Sequence, residues 1–233
     1  MISTRDLSGL LPVDLLKRIM QSMAMLDAIL SPEWEYRYYS FNVKWAPEEQ
    51  MGSMRNGSGD DLFALFNAHG CFIKGFDHEA LMSPYGRQPK AVWPGVLDAV
   101  PKAFERGLSE PAFAMEDTTF CIWRQYGDEQ WHRGVIEFPP PKLRFDGAPL
   151  DPDGSGDLLS PYDGNPVTYL AWAIYRFGGL TGENLTLEHV QHVYDHKPLT
   201  AELVREINPE LPLGDLDGDI EEIGYPRRGA KKD

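Results

Sequence analysis

The 233-residue chain is long enough to bury a substantial core, and its 42% hydrophobic and 12% aromatic content excludes a disordered polymer. With 22 basic against 36 acidic residues, the net charge of −14 argues against a nucleic-acid partner, because such binding depends on lysine and arginine displacing counterions from phosphates. No stretch reaches the length of a membrane span and no signal peptide is read at the start, where Asp6 and Asp14 interrupt any apolar run, so no membrane association and a cytoplasmic location are expected.

Leu15-Leu16, Ile19-Met20, Met23, Leu26 and Ile29-Leu30 recur at steps of three and four, which predicts an amphipathic helix over 12–30. Pro12 suits its first turn and Ser31-Pro32 ends it. Residues 33–138 are expected to form the sheet core. The aromatic run Glu33–Trp45 reads as its first strand, with a change of face near Tyr38–Tyr39 that suggests a bulge or burial on both sides. Met54–Asp61 is a turn-rich lead into a hairpin, Leu62–Phe66 and Cys71–Phe76, reversed at Asn67-Ala68-His69-Gly70. Its glycines do not make a phosphate loop, since no GK[ST] follows and the segment enters a strand rather than a helix.

A short helix is expected over 99–108, then a second hairpin, Thr118–Phe138, turning at Tyr126-Gly127-Asp128-Glu129. Pro139–Leu150 reads as an irregular loop. Residues 165–226 are expected to be helical. Asn165 caps a helix with Pro166 at its first position and Gly178 just past its end; further helices follow at Leu187–His196 and from Thr200, and a basic tail, Arg227, Arg228, Lys231 and Lys232, closes the chain. The expected fold is a single α+β domain, a mainly antiparallel, aromatic-rich sheet covered by the first helix and the 165–177 helix.

Several clusters carry possible chemistry. Asp77-His78-Glu79 and Glu116-Asp117 stand at the ends of the two hairpins, where His78, Glu79, Glu116 and Asp117 would converge as an acid–base set if the hairpins lie side by side. His192 and His196 have the i, i+4 spacing of a helical metal site, although no glutamate follows His192 as a metalloprotease would require. The acidic turns at Asp151–Asp157 and Asp215–Asp219 lack the glutamate that closes a calcium loop, position twelve being Tyr162 and Pro226. Cys71 and Cys121 match no disulfide framework or metal knuckle and read as small buried hydrophobes. No GxSxG elbow and no GxGxxG after a strand occurs, and no cofactor is expected.

The strings Met54–Asp60, Ile73–Glu79, Val92–Val96, Pro111–Arg124 and Glu222–Pro226 resemble a family of bacterial proteins that brings no assigned activity. More distantly, the α+β layout and the Asn165-Pro166…Tyr169…Trp172 helix are similar to the superfamily of the yeast cell-wall-assembly regulator, which in bacteria supplies toxin-immunity proteins. That resemblance implies a non-enzymatic protein-binding module of immunity or regulatory type. A strongly acidic surface suits a basic protein partner. The rival expectation is a metal-dependent or acid–base hydrolase working at the strand ends.

Overall fold

The computed structural model describes residues 2–145, 147–178 and 182–227; Arg228, Lys231 and Lys232 of the basic tail lie outside the described residues. The fold is α+β. In chain order the regular elements are α1 (Val13–Leu30), β1 (Tyr39–Ala46), β2 (Glu49–Arg55), β3 (Asp61–Asn67), β4 (Gly70–Phe76), α2 (Glu105–Leu108), β5 (Phe120–Gln125), β6 (His132–Arg133), α3 (Ser155–Leu159), α4 (Pro166–Phe177), α5 (Leu187–Tyr194), α6 (Ala201–Ile207) and α7 (Asp217–Ile223). All the strand pairs are antiparallel. The chain gathers into two compact units, Met1–Val13 with Arg55–Asp163 and Asp14–Met54 with Gly164–Asp233.

In the first unit, β3 and β4 form a tight hairpin running from Asn67↔Gly70 to Asp61↔Phe76, and β5 pairs with β4 from Gly70↔Gln125 to Gly75↔Phe120. Every residue of β4 is buried. Because side chains alternate along a strand, this register puts Asp61, Phe63 and Leu65 on one face with Phe72, Lys74, Phe76 and Trp123. The segment through α2 and Phe113 covers that face: Phe113 stacks on Phe63 at 4.9 Å and Phe104 lies 6.3 Å from Phe72. The opposite row, Leu62, Ala64, Phe66, Cys71, Ile73, Phe120 and Ile122, is equally buried. Gly75 has to be glycine, because a Cβ there would overlap the ring of Phe120.

The second hairpin is shorter than the sequence predicts. β6 holds only His132 and Arg133, opposite Trp123 and Ile122. Beyond it Gly134 passes so close to the backbone of Gly95 that no side chain fits, and the chain leaves the ladder.

In the second unit, β1 and β2 pair from Tyr39↔Met54 to Ala46↔Glu49, with the register shifting between Asn42 and Ala46. The bulge falls there rather than at Tyr38–Tyr39. Trp34–Tyr36, expected at the head of the strand, is a turn of 3-10 helix. The sequence predicts no strand ahead of the turn-rich Met54–Asp61, yet Glu49–Arg55 is one and packs against α1: Met20 and Phe41 close over Gly52 so tightly that a Cβ would overlap Met20. α1 and α4 both cover this hairpin. Trp172 of α4 has its ring 5.0 Å from Tyr38 and 4.8 Å from Tyr39, and Tyr169 joins the same cluster.

The amphipathic pattern of α1 holds only for its first turns. From Ile19 to Leu30 every residue is buried, including three polar ones. Each polar group has a partner: Gln21 Nε2 donates to the carbonyl of Ile223 (2.7 Å), Ser22 Oγ to that of Val193 (3.0 Å), and Asp27 accepts from Tyr38 N, Tyr39 N and Tyr169 Oη. α4 begins as read, with Asn165 accepting from Val167 N and Pro166 in the first turn, but Gly178 sits at φ −53°, outside the left-handed region. α5 stops at Tyr194, two residues short of His196.

Candidate functional site

The candidate site belongs to the first unit and grows out of the open end of the β3–β4 hairpin. Asp61 faces Phe76 across the ladder and Lys74 is its diagonal neighbour, so the two side chains meet on one face. Lys74 Nζ lies 2.6 Å from Asp61 Oδ1 and is completely buried, with the rings of Phe63 and Phe76 5.6 and 5.5 Å away. Burial pushes the Lys74 ammonium down and the Asp61 carboxyl up, and the contact between them works against both shifts.

The turn leading into β3 is held by Asn56, whose Oδ1 accepts from Ser58 N and Asp60 N while its Nδ2 donates to Asp60 Oδ2. Asp60 in turn fixes His78: its Oδ1 accepts from His78 N at 3.0 Å and lies 2.6 Å from His78 Nδ1. That hydrogen bond raises the histidine above its ordinary value. Asp77 reverses the chain after β4 by accepting from Glu79 N and Ala80 N through Oδ1. Burial and then the neighbouring charge of Asp60 hold its carboxyl above the usual range. On the far side stands Asp117, which accepts from the Tyr85 hydroxyl at 3.3 Å and meets Lys90 Nζ at 2.5 Å; the same ammonium lies 4.1 Å from the centre of the Tyr85 ring. The Asp117 hydrogen bond and then Tyr85 raise Lys90.

Together these groups border a cavity of about 530 Å³. Ser58, Gly59 and Asp61 line it from the turn, Phe76 and His78 from the strand end, and Tyr85, Ala114 and Asp117 from the segment over the sheet. A larger concavity of about 940 Å³ lies in the same unit, against Arg87, Trp93, Gly95 and Val135–Pro140.

Of the four residues expected to form an acid–base set, His78 and Asp117 line the cavity, while Glu79 and Glu116 are not among its lining residues. Asp60, Asp61, Lys74, Tyr85 and Lys90 were missed. Lys74 gave the one available signal, a charge inside an otherwise apolar strand. His192 and His196 do not share a helical face, because α5 ends at Tyr194 and His196 adopts φ 53°. Their Nε2 atoms donate to the carbonyls of Pro198 (3.1 Å) and Arg18 (2.9 Å). The Asp151–Asp157 turn closes on itself. Asp153 is fully buried and accepts from Thr4 Oγ1 and from Ser155, and Asp151 accepts from Gly156 N. Among the described residues no helix is long and apolar enough to cross a membrane.

Comparison of the chain with protein-family models, with curated proteins and with solved structures finds no match.

Proposed function

We propose that the chain is a protein-binding module of immunity or regulatory type, and that its cavity receives a basic side chain of a protein partner. One observation carries this reading. The chain's own Lys90 already displays the recognition chemistry, an ammonium set against a carboxylate and over an aromatic face, at Asp117 and Tyr85. Asp61 adds a second carboxylate to the lining and Phe76 a second ring. The −14 charge of the whole chain favours encounter with a basic surface. The resemblance of the Asn165–Trp172 stretch to the immunity superfamily agrees with it.

The test is a titration of the full chain with lysine- and arginine-rich peptides, their acetylated counterparts and an acidic peptide, followed by NMR. Binding is expected to be limited to the unmodified basic peptides, to weaken with salt, and to shift the resonances of His78, Tyr85 and Ala114. Tyr85→Ala removes a contact worth about 0.5–2 kcal/mol and should weaken binding roughly 2- to 30-fold. Shifts confined to other surfaces, or unchanged affinity in both Tyr85→Ala and Asp117→Asn, would overturn the reading. A second reading, acid–base hydrolysis, rests on His78 and Asp117 lining one cavity; it requires turnover by the wild-type chain that His78→Gln abolishes.

A further inference from the structure

We infer that Asp60, Asp77 and His78 form a binding site for one divalent transition-metal ion, with Zn²⁺ the best fit. The site follows from the hairpin register. The ladder ends at Asp61↔Phe76, and just beyond it the chain places Asp60 on one side and Asp77 with His78 on the other, where Asp60 Oδ1 meets His78 N and Nδ1. One ligand atom from each residue lies within 4.8 Å of the other two. Three ligands about 2.0–2.2 Å from one ion stand roughly 3.5 Å apart, so side-chain adjustments of about an ångström close the set.

Several features separate this trio from an ordinary acidic turn. Two carboxylates brought this close at the open end of a hairpin repel each other, and a bound cation turns that repulsion into attraction. The third member is an imidazole, a poor ligand for Mg²⁺ or Ca²⁺ and a good one for Zn²⁺; two carboxylates with one nitrogen fit the borderline ions. The positions are fixed before any ion arrives. Asn56 holds Asp60, and Asp77 is braced by the amides of Glu79 and Ala80 on Oδ1, which leaves Oδ2 without a hydrogen bond among the described residues. Gly154 passes directly against that Asp77 carboxylate, where a Cβ would overlap Oδ2. His78 also lines the 530 Å³ cavity, so water or a ligand group has room to complete the coordination. This proposal does not depend on the recognition of a basic side chain.

The experiment is titration of the full, metal-stripped chain with Zn²⁺ alone, monitored by calorimetry and by long-range ¹H–¹⁵N spectra of the histidine rings. One equivalent is expected to bind and to move the His78 ring signals, leaving those of His192 and His196 in place. Asp77→Asn and His78→Ala should each weaken binding roughly tenfold or more, while His192→Ala leaves it unchanged. Circular-dichroism melts establish that each variant is folded, and the ring spectra of the wild-type chain decide the matter if one is not. No binding by the wild-type chain, an unmoved His78 ring, or loss of binding in His192→Ala instead of His78→Ala would overturn the site.

Discussion

Replacing Asp27 by asparagine is expected to remove a specific part of the pH dependence of stability. The carboxylate is fully buried in α1 and accepts three hydrogen bonds, from Tyr38 N at 2.8 Å, Tyr39 N at 2.9 Å and Tyr169 Oη at 2.7 Å. Burial outweighs these bonds and lifts its pKa from 3.8 to about 6. The native chain therefore holds a proton between about pH 4 and 6 that the unfolded chain has already released. The stabilisation from that proton is fully present below about pH 4 and is lost as the pH rises through about 6. A rise from 3.8 to about 6 corresponds to roughly 3 kcal/mol between those limits. An asparagine side chain has the shape of the protonated carboxyl, keeps a carbonyl oxygen for the two amides and cannot ionise.

Urea unfolding of both chains from pH 4 to 8 gives the assay. The difference in stability, wild type minus Asp27→Asn, should fall by about 2.5 kcal/mol from pH 4 to 8, most of it between about pH 4 and 6, and level off above about 6. Taking the difference cancels the contributions of the other carboxyls. A difference that stays flat across the range would refute the argument. Asp27→Ala, which strips three buried donors of their acceptor, should cost about 3 kcal/mol or more at any of these pH values.

Two further outcomes follow from the first unit. Lys74→Met, which replaces a buried ammonium by an apolar chain among Phe63 and Phe76, should leave stability within about 1 kcal/mol of wild type, whereas Asp61→Asn, which strands that ammonium, should cost about 2–4 kcal/mol because Asp61 is 24% exposed at its side chain and its pairing is partly screened; equal losses in denaturant melts of the two variants would contradict this asymmetry. Cys71 and Cys121 are buried, burial raises both thiols, and the register places Cys71 opposite Arg124 and Cys121 opposite Lys74, roughly 10 Å apart along the ladder and beyond disulfide reach. Ellman's reagent should find no fast thiol in the native chain and two after denaturation.

What the sequence made legible was local. The Asn67–Gly70 turn between two apolar runs located β3 and β4, and Asn165-Pro166 located the start of α4, because each signal sits within a few residues of the structure it produces. What it hid was decided at a distance. β2 carries no strand signature of its own, and its Gly52 is closed over by Met20 and Phe41. The buried half of α1 reads as amphipathic until the partners of Gln21, Ser22 and Asp27 are known, and those lie 11 to 202 residues away. The i, i+4 reading of His192 and His196 failed for a local reason, the end of α5 at Tyr194, which neither Asp195 nor His196 announces.

The candidate site divides along the same line. His78 and Asp117 are visible as polar residues at strand ends and Lys74 as a charge in an apolar strand, whereas its pairing with Asp61 and the place of Asp60 follow only from register. In the β3–β4 hairpin the numbers of paired residues sum to 137, from Asn67↔Gly70 to Asp61↔Phe76. That single constant sets Lys74 diagonal to Asp61 and leaves Asp60 and Asp77 just beyond the last pair, on either side of the hairpin's open end. A shift of one residue would turn Lys74 to the other face, away from Asp61. Register here is fixed by the two-residue reversal at Ala68-His69 and by burial of both faces of β4, neither of which involves a residue of the metal set. The ion pair and the proposed metal ligands are therefore placed by the packing of apolar residues. Changes that loosen the Asn67–Gly70 turn should disturb the site from about seven residues away, before they disturb any residue that lines it.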